Sequence, residues 1–112
     1  MTWAAVCAYD ALVPDRGVCA LIDGEQVAVY RLTSGKVFAL ANLDPFSGAY
    51  VLSRGIVGCR GDEPVVASPM HKHTFALSTG VALDEPSVVV ATYPIRVRDG
   101  WVEVSAAVAA VA

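Results

Sequence analysis

Asp23-Gly24, Ser34-Gly35 and Asp99-Gly100 punctuate this chain between short runs of strand formers, and they limit its fold more than any other feature. Glycine supplies the positive φ that two-residue hairpin turns require, and alternating residues flank the first and last of the three dipeptides. The runs themselves are Val18 to Ile22, Gln26 to Leu32, Val37 to Ala41, Ile56 to Arg60, Val65 to Ala67, Thr74 to Leu77, Thr92 to Arg98 and Trp101 to Ser105. They are valine-rich and about the length of single strands. No segment sustains a 3.6-residue apolar period with caps, so long helices are not expected. Asp10 to Pro14 has room for one short turn. The chain reads as all-β and antiparallel.

At 112 residues it is long enough for one core but not for two. The formal net charge is -3, and its eight Lys and Arg residues are scattered, so no basic stripe marks a nucleic-acid surface. The apolar run at the N-terminus stops at Asp10, too soon for a signal or membrane segment, and a cytoplasmic protein with no membrane partner is expected. Three cysteines without a spacing pattern fit reduced thiols, with Cys7 and Cys19 expected as buried small hydrophobes. The chain is 55% hydrophobic and 17% charged, which either reflects its many Ala and Val residues or leaves apolar surface for another chain. Residues 106–112 form an Ala/Val-rich tail too short to hold a helix alone.

The middle, from about Asn42 to Gly80, is richer in Gly, Pro and Ser than its flanks and carries the residues with chemistry. Asp44, His71 and His73 supply a carboxylate and two imidazoles, the ligand types of mononuclear non-haem iron. His71 and His73 point to one side only if the backbone between them is extended. Otherwise His71 is expected as a hydrogen-bonded loop residue and His73 as a surface one. Asp44 and Ser68 each precede a proline, where a short polar side chain bonds nearby backbone amides in a turn. Phe46, Met70 and Phe75, with Tyr50, offer apolar volume to fill a gap between loops. Arg54, Arg60 and Lys72 place positive charge near the same loops, with Asp62 and Glu63 close by.

Two stretches in this region, Asn42-Leu43-Asp44-Pro45-Phe46-Ser47-Gly48-Ala49 and Val65 to Phe75, resemble the paired cluster-binding loops of Rieske domains. In that family the first loop reads Cys-x-His before x-Gly-Ala and the second reads Cys-x-x-His. The four ligand slots here hold Asp44, Phe46, Ser68 and His71. A Rieske [2Fe-2S] centre needs two thiolates and two imidazoles. Phe46 offers no lone pair, Ser68 would have to ligate as an alkoxide, and Asp44 is a hard oxygen donor where soft sulfur is wanted. The resemblance therefore implies a Rieske-like antiparallel β-sandwich over residues 1–105, with an inserted, cofactor-free cluster-binding-type subdomain at about 42–80.

Within that superfamily the run from Asn42 to Gly58 is similar to the small subunits of bacterial assimilatory NAD(P)H-dependent nitrite reductases, where Asp-Pro-Phe replaces Cys-x-His. Glu63 to Pro69 and Tyr93 to Val97 support the likeness. It implies a non-catalytic subunit that supports or gates a large subunit carrying FAD, sirohaem and an iron-sulfur cluster, which reduces nitrite to ammonium in nitrate assimilation. On that reading the tip formed by Asp44 to Tyr50 and Ser68 to Lys72 is the expected partner surface, with Phe46, Tyr50, Arg54, Met70 and Lys72 as candidate interface residues. Two rival readings remain open on the sequence: a free-standing Rieske-fold binding module for another oxidoreductase, and a metal enzyme using Asp44, His71 and His73.

Overall fold

The computed structural model describes residues 2–105; the tail of residues 106–112 lies outside the described residues. Nine strands are formed within them: β1 (Trp3–Ala8), β2 (Arg16–Ile22), β3 (Glu25–Arg31), β4 (Val37–Ala41), β5 (Ile56–Arg60), β6 (Glu63–Ala67), β7 (Thr74–Ala76), β8 (Ile95–Arg98) and β9 (Trp101–Ser105). They pair antiparallel in three sheets of order β1-β9-β8, β2-β3-β4 and β5-β6-β7. The only helical pieces described are single 3-10 turns at Tyr9–Ala11 and Leu52–Arg54.

Strand β3 explains how three sheets share one small body. Val27, Ala28, Val29 and Tyr30 are all fully buried. Side chains alternate between the faces of a strand, so a run buried on both sides must have cover on both. Val27 and Val29 pack with Ile22, Ala39, Val102 and Val104 in a core shared with the β1-β9-β8 sheet. Ala28 and Tyr30 pack with Leu40, Leu52, Val66 and Phe75 in a core shared with the β5-β6-β7 sheet. The middle sheet thus belongs to a sandwich on one face and carries the third sheet, and the loops around it, on the other.

The turns decide the registers. Asp23 and Gly24, and Asp99 and Gly100, all take positive φ, the signature of the type I′ turns that join β2 to β3 and β8 to β9. Ser34-Gly35 behaves differently from its two-residue expectation. Arg31 stands opposite Val37, and the intervening loop closes through Leu32 N–H to Lys36 O (2.8 Å) and Gly35 N–H to Leu32 O (2.9 Å). Gly61-Asp62, which was not read as a turn, joins β5 to β6 with positive φ at Gly61 alone.

Other departures have local causes. The strand expected from Thr92 starts at Ile95, because Pro94 has no N–H to give a ladder. Tyr93 N–H instead bonds Ala39 O, and Pro94 O accepts from Ser105 N–H. The N-terminal run Trp3–Ala8 is a strand whose alternation is hidden by a bulge between Ala5 and Cys7. Cys19 corrects its expectation: it is exposed, and Cys7 is only half-buried.

Two close approaches fix the third sheet and its loops against the sandwich. The Tyr30 hydroxyl donates to Leu52 O, and burial pushes this phenol far above its ordinary titration range. Opposite Tyr30 in the ladder stands Gly17, where a Cβ would fall 2.5 Å from Ser53 O and 2.7 Å from the Tyr30 ring. Farther on, Gly80 takes φ +78, and a Cβ there would fall 1.9 Å from Val90 O. Gly80 N–H bonds Ala76 O, and Val90 N–H bonds Gly80 O. Gly80→Ala would therefore combine left-handed strain with a backbone clash, and a loss of about 2–4 kcal/mol in urea denaturation is expected.

Candidate functional site

The site is built from two loops that leave the middle sheet and β6. The first follows β4. Asn42, only 2% exposed, spends its side chain on holding that loop to the sheet: Nδ2 donates to Gln26 Oε1 (3.1 Å) and Tyr50 O (3.2 Å), and Oδ1 accepts from Ser53 N–H (2.7 Å). Its backbone N–H bonds Gln26 O, and its carbonyl accepts from Leu52 N–H. Sequence reading gave Asn42 no role. The only signal was an amide residue at the end of an apolar strand.

Inside this frame the chain folds back on itself at Asp44. Gly48 N–H bonds Asp44 O, and Asp44 N–H bonds Ala49 O, both at 2.8 Å. Asp44 Oδ1 accepts from Phe46 N–H at 2.9 Å, an Asx turn of the kind its place before Pro45 suggested. The second loop, after β6, closes through Ser68 N–H to His73 O (2.8 Å), and Ser68 Oγ accepts from Met70 N–H (3.1 Å). One side-chain bond then joins the loops: Ser68 Oγ–H donates to Asp44 Oδ2 at 2.6 Å, with both residues fully buried.

That bond stands at two of the four slots where Rieske domains carry cluster ligands. Burial pushes the Asp44 carboxyl up, but hydrogen bonds from the Ser68 hydroxyl, the Phe46 N–H and Ser47 hold it below the ordinary carboxylate range. Asp44 is therefore ionised near neutral pH, and one of its oxygens is taken by Ser68 and the other by Phe46 N–H. Phe46 occupies a third slot and brings no donor atom. The residues present do not fit a [2Fe-2S] cluster. Among the described residues no three of His, Cys, Asp or Glu come together in a way that could hold a metal ion.

Rings make the second link between the loops. Phe46 stacks on His73 with centroids 3.8 Å apart and 30° between planes, and meets Phe75 at 5.9 Å. Phe75 is fully buried in the core beside Tyr30 and Leu52. His73, expected on the surface, packs half-buried against Phe46, while His71 lies in the loop as expected but is exposed. The cause is the backbone: His71 (φ 62) and Lys72 (φ 57) are both left-handed, so the strand-like geometry that would align the two imidazoles is absent. Met70 and Tyr50, read as filling the space of a missing cluster, do not do so. They are 41% and 55% exposed.

The outer surface of the two loops thus presents Tyr50, Met70, His71 and Lys72 to solvent, with Arg54 exposed on the following 3-10 turn and Ile56 75% exposed at the start of β5. Two adjacent non-glycine residues in the left-handed region cost about 1 kcal/mol or more each. Such strain persists only where the surroundings over-determine it, as the Ser68–His73 closure does here.

Comparison with known proteins agrees with this geometry. The model of the Rieske-like [2Fe-2S] domain matches residues 2–105. The NADH nitrite reductase small subunit of Salmonella typhimurium is 45% identical over 102 residues, 90% of this chain and 94% of that protein. The solution structure of the Escherichia coli protein NirD superposes with a TM-score of 0.85 at 42% identity, covering 92% of this chain and 94% of that one. A third similarity is of another kind. The NAD(P)H nitrite reductase large subunit of Klebsiella oxytoca is 39% identical over 102 residues, 89% of this chain but only 11% of that protein.

Removing the clasp should loosen the tip without emptying the core. Asp44→Ala leaves the Ser68 hydroxyl and the Phe46 N–H without their acceptor, and a loss of about 2 kcal/mol in thermal or urea unfolding is expected. The contribution is also acid-sensitive. The folded carboxyl titrates below its unfolded value of 3.8, so its contribution is complete above that pH and is lost as pH falls through the lower folded value. Stability measured from pH 6 to pH 2 should fall more steeply for the native chain than for Asp44→Ala.

Proposed function

This chain belongs to the Rieske-like [2Fe-2S] domain family, among the small subunits of NAD(P)H nitrite reductase, and we propose that it serves that enzyme without a redox group of its own. The observation that carries this reading is the bond between Asp44 and Ser68. It fills two of the ligand slots with a closed, buried interaction, and Phe46 with His73 adds a ring stack beside it. The loops are held together by side chains instead of iron, so what the tip keeps is shape.

A rigid tip with exposed Tyr50, Met70 and Lys72 suits docking better than chemistry, since aromatic and Met side chains are favoured at the centre of protein interfaces. The partner is the large subunit. Support comes from the Klebsiella oxytoca large subunit, in which a segment like this chain makes up part of the protein itself. A segment like this chain is thus covalently part of that large subunit, and here it would act as a separate subunit. We place FAD, sirohaem and an iron-sulfur cluster in the large subunit, the reduction of nitrite to ammonium in nitrate assimilation as its reaction, and the complex in the cytoplasm. Residues 1–105 act as one unit, with the insert at about 42–80 presenting Tyr50, Arg54, Met70 and Lys72 to the partner; Phe46, expected in that interface, is instead half-buried against His73 and Phe75 and supports the tip from within. No helix among the described residues is long and apolar enough to cross a membrane.

NAD(P)H-dependent nitrite reduction by the cognate large subunit, assayed with and without this chain, tests the reading. Turnover or stability of the large subunit should depend on the chain. Equal turnover alone and no binding between the two would overturn it. Met70→Ala with Lys72→Glu, neither of which is buried, should weaken the complex at least tenfold, about 1.4 kcal/mol, while leaving the unfolding midpoint of the free chain unchanged.

A further inference from the structure

Positive charge in this acidic chain gathers at one corner and stays unpaired. Arg16 stands directly opposite Arg31 in the β2-β3 ladder. Like charges facing each other across strands are unfavourable. Arg31 turns inward: its guanidinium donates to Tyr9 O and Leu12 O and lies over the Tyr9 ring at 4.1 Å, and its Nε is buried without a hydrogen-bond partner. No carboxylate among the described residues pairs with it. Asp15, the acid next in sequence to Arg16, is engaged with Thr33 through both oxygens.

Arg16 is left on the surface, rooted on the wall of a cleft of about 320 Å3 whose other lining residues are Gly17, Ser53, Arg54 and Gly55. Arg54 is exposed and has no ion pair among the described residues, where Arg96 with Glu103 makes the only one. Two arginines that make no ion pair among the described residues therefore line one cleft, together with Ser53.

We infer that this cleft receives the carboxylate of an acidic side chain on the large subunit. The inference rests on the subunit reading above and extends its interface from the tip to Arg16. Arginine binds carboxylates through paired N–H donors, and two of them supply enough donors to match one carboxylate fully. A phosphate chain asks for a row of free backbone amides as well. Here the amides are spent: Ser53 N–H on Asn42 Oδ1, Arg54 N–H on Val51 O and Gly55 N–H on Leu52 O. Placement also favours a protein partner. Arg54 is four residues from exposed Tyr50 and two from Ile56, so an acid seated in the cleft would continue the same contact surface.

Affinity of the native large subunit for this chain, measured by titration at low and high salt, tests the inference with three variants. R16Q/R54Q should bind at least tenfold more weakly at low salt and should lose most of the salt dependence seen with the native chain. R54K keeps the charge but not the fork, and should fall between the two. K36Q/R98Q removes the same amount of charge from other surfaces and should bind like the native chain. Equal affinity and salt dependence for R16Q/R54Q and the native chain would overturn the inference while leaving the subunit reading intact. Tight binding of inorganic phosphate to the free chain, abolished in R16Q/R54Q, would also overturn it by marking a small-anion site. Failure of the native chain to bind at all would overturn the subunit reading first.

Discussion

A buried carboxylate without partners is costly enough that a fold containing one must surround it with donors. Asp44 meets this demand with donors from both loops, and the demand shapes the region around it. One oxygen fixes the turn at Phe46, the other reaches Ser68, and Ser68 in turn fixes Met70. In a cluster-bearing relative of this fold, metal–ligand bonds would join the loops. Here a charge-assisted hydrogen bond does so, at about 1.5–3 kcal/mol, and a ring stack adds to it.

The clasp is useful only because the loops start from fixed points. Strand β3, covered on both faces, supplies them. Tyr30 reaches from its buried face to Leu52 O, and Asn42 ties the same loop to Gln26 and Tyr50. Gly17 gives way to let Ser53 approach. The exposed residues Tyr50, Arg54 and Ile56 are thus carried on a segment whose backbone is pinned on its inner side. A surface that is ordered before it meets its partner loses less entropy on binding.

Most of this was legible in the sequence where the cause was local. The Asp-Gly turns, the strands β4, β5 and β9, and the loss of cluster ligands at Asp44, Phe46 and Ser68 all depend on neighbours in the chain or on the chemistry of single residues. What stayed hidden depends on distant partners. Strand β1 pairs with a strand at the far end of the chain and carries a bulge that disguises its alternation. His73 packs against Phe46 instead of lying on the surface, beside two consecutive left-handed residues that a sequence of this kind does not announce. Asn42 looked unremarkable because its value lies in partners on β3 and beyond its own turn. Met70 and Tyr50 were expected inside on the argument that a missing cluster leaves a cavity. The loops instead close directly through Asp44 and Ser68, and the Met70 and Tyr50 side chains stand exposed.

The most direct test is a double-mutant cycle on Asp44 and Ser68, using Asp44→Ala, Ser68→Ala and both together, read by equilibrium unfolding at neutral pH. If the two loops are held by this bond, the double variant should be more stable than the sum of the single losses predicts, with a coupling of about 1–3 kcal/mol. Strict additivity would mean that each residue serves only its own turn, and that the tip owes its shape to something other than the clasp.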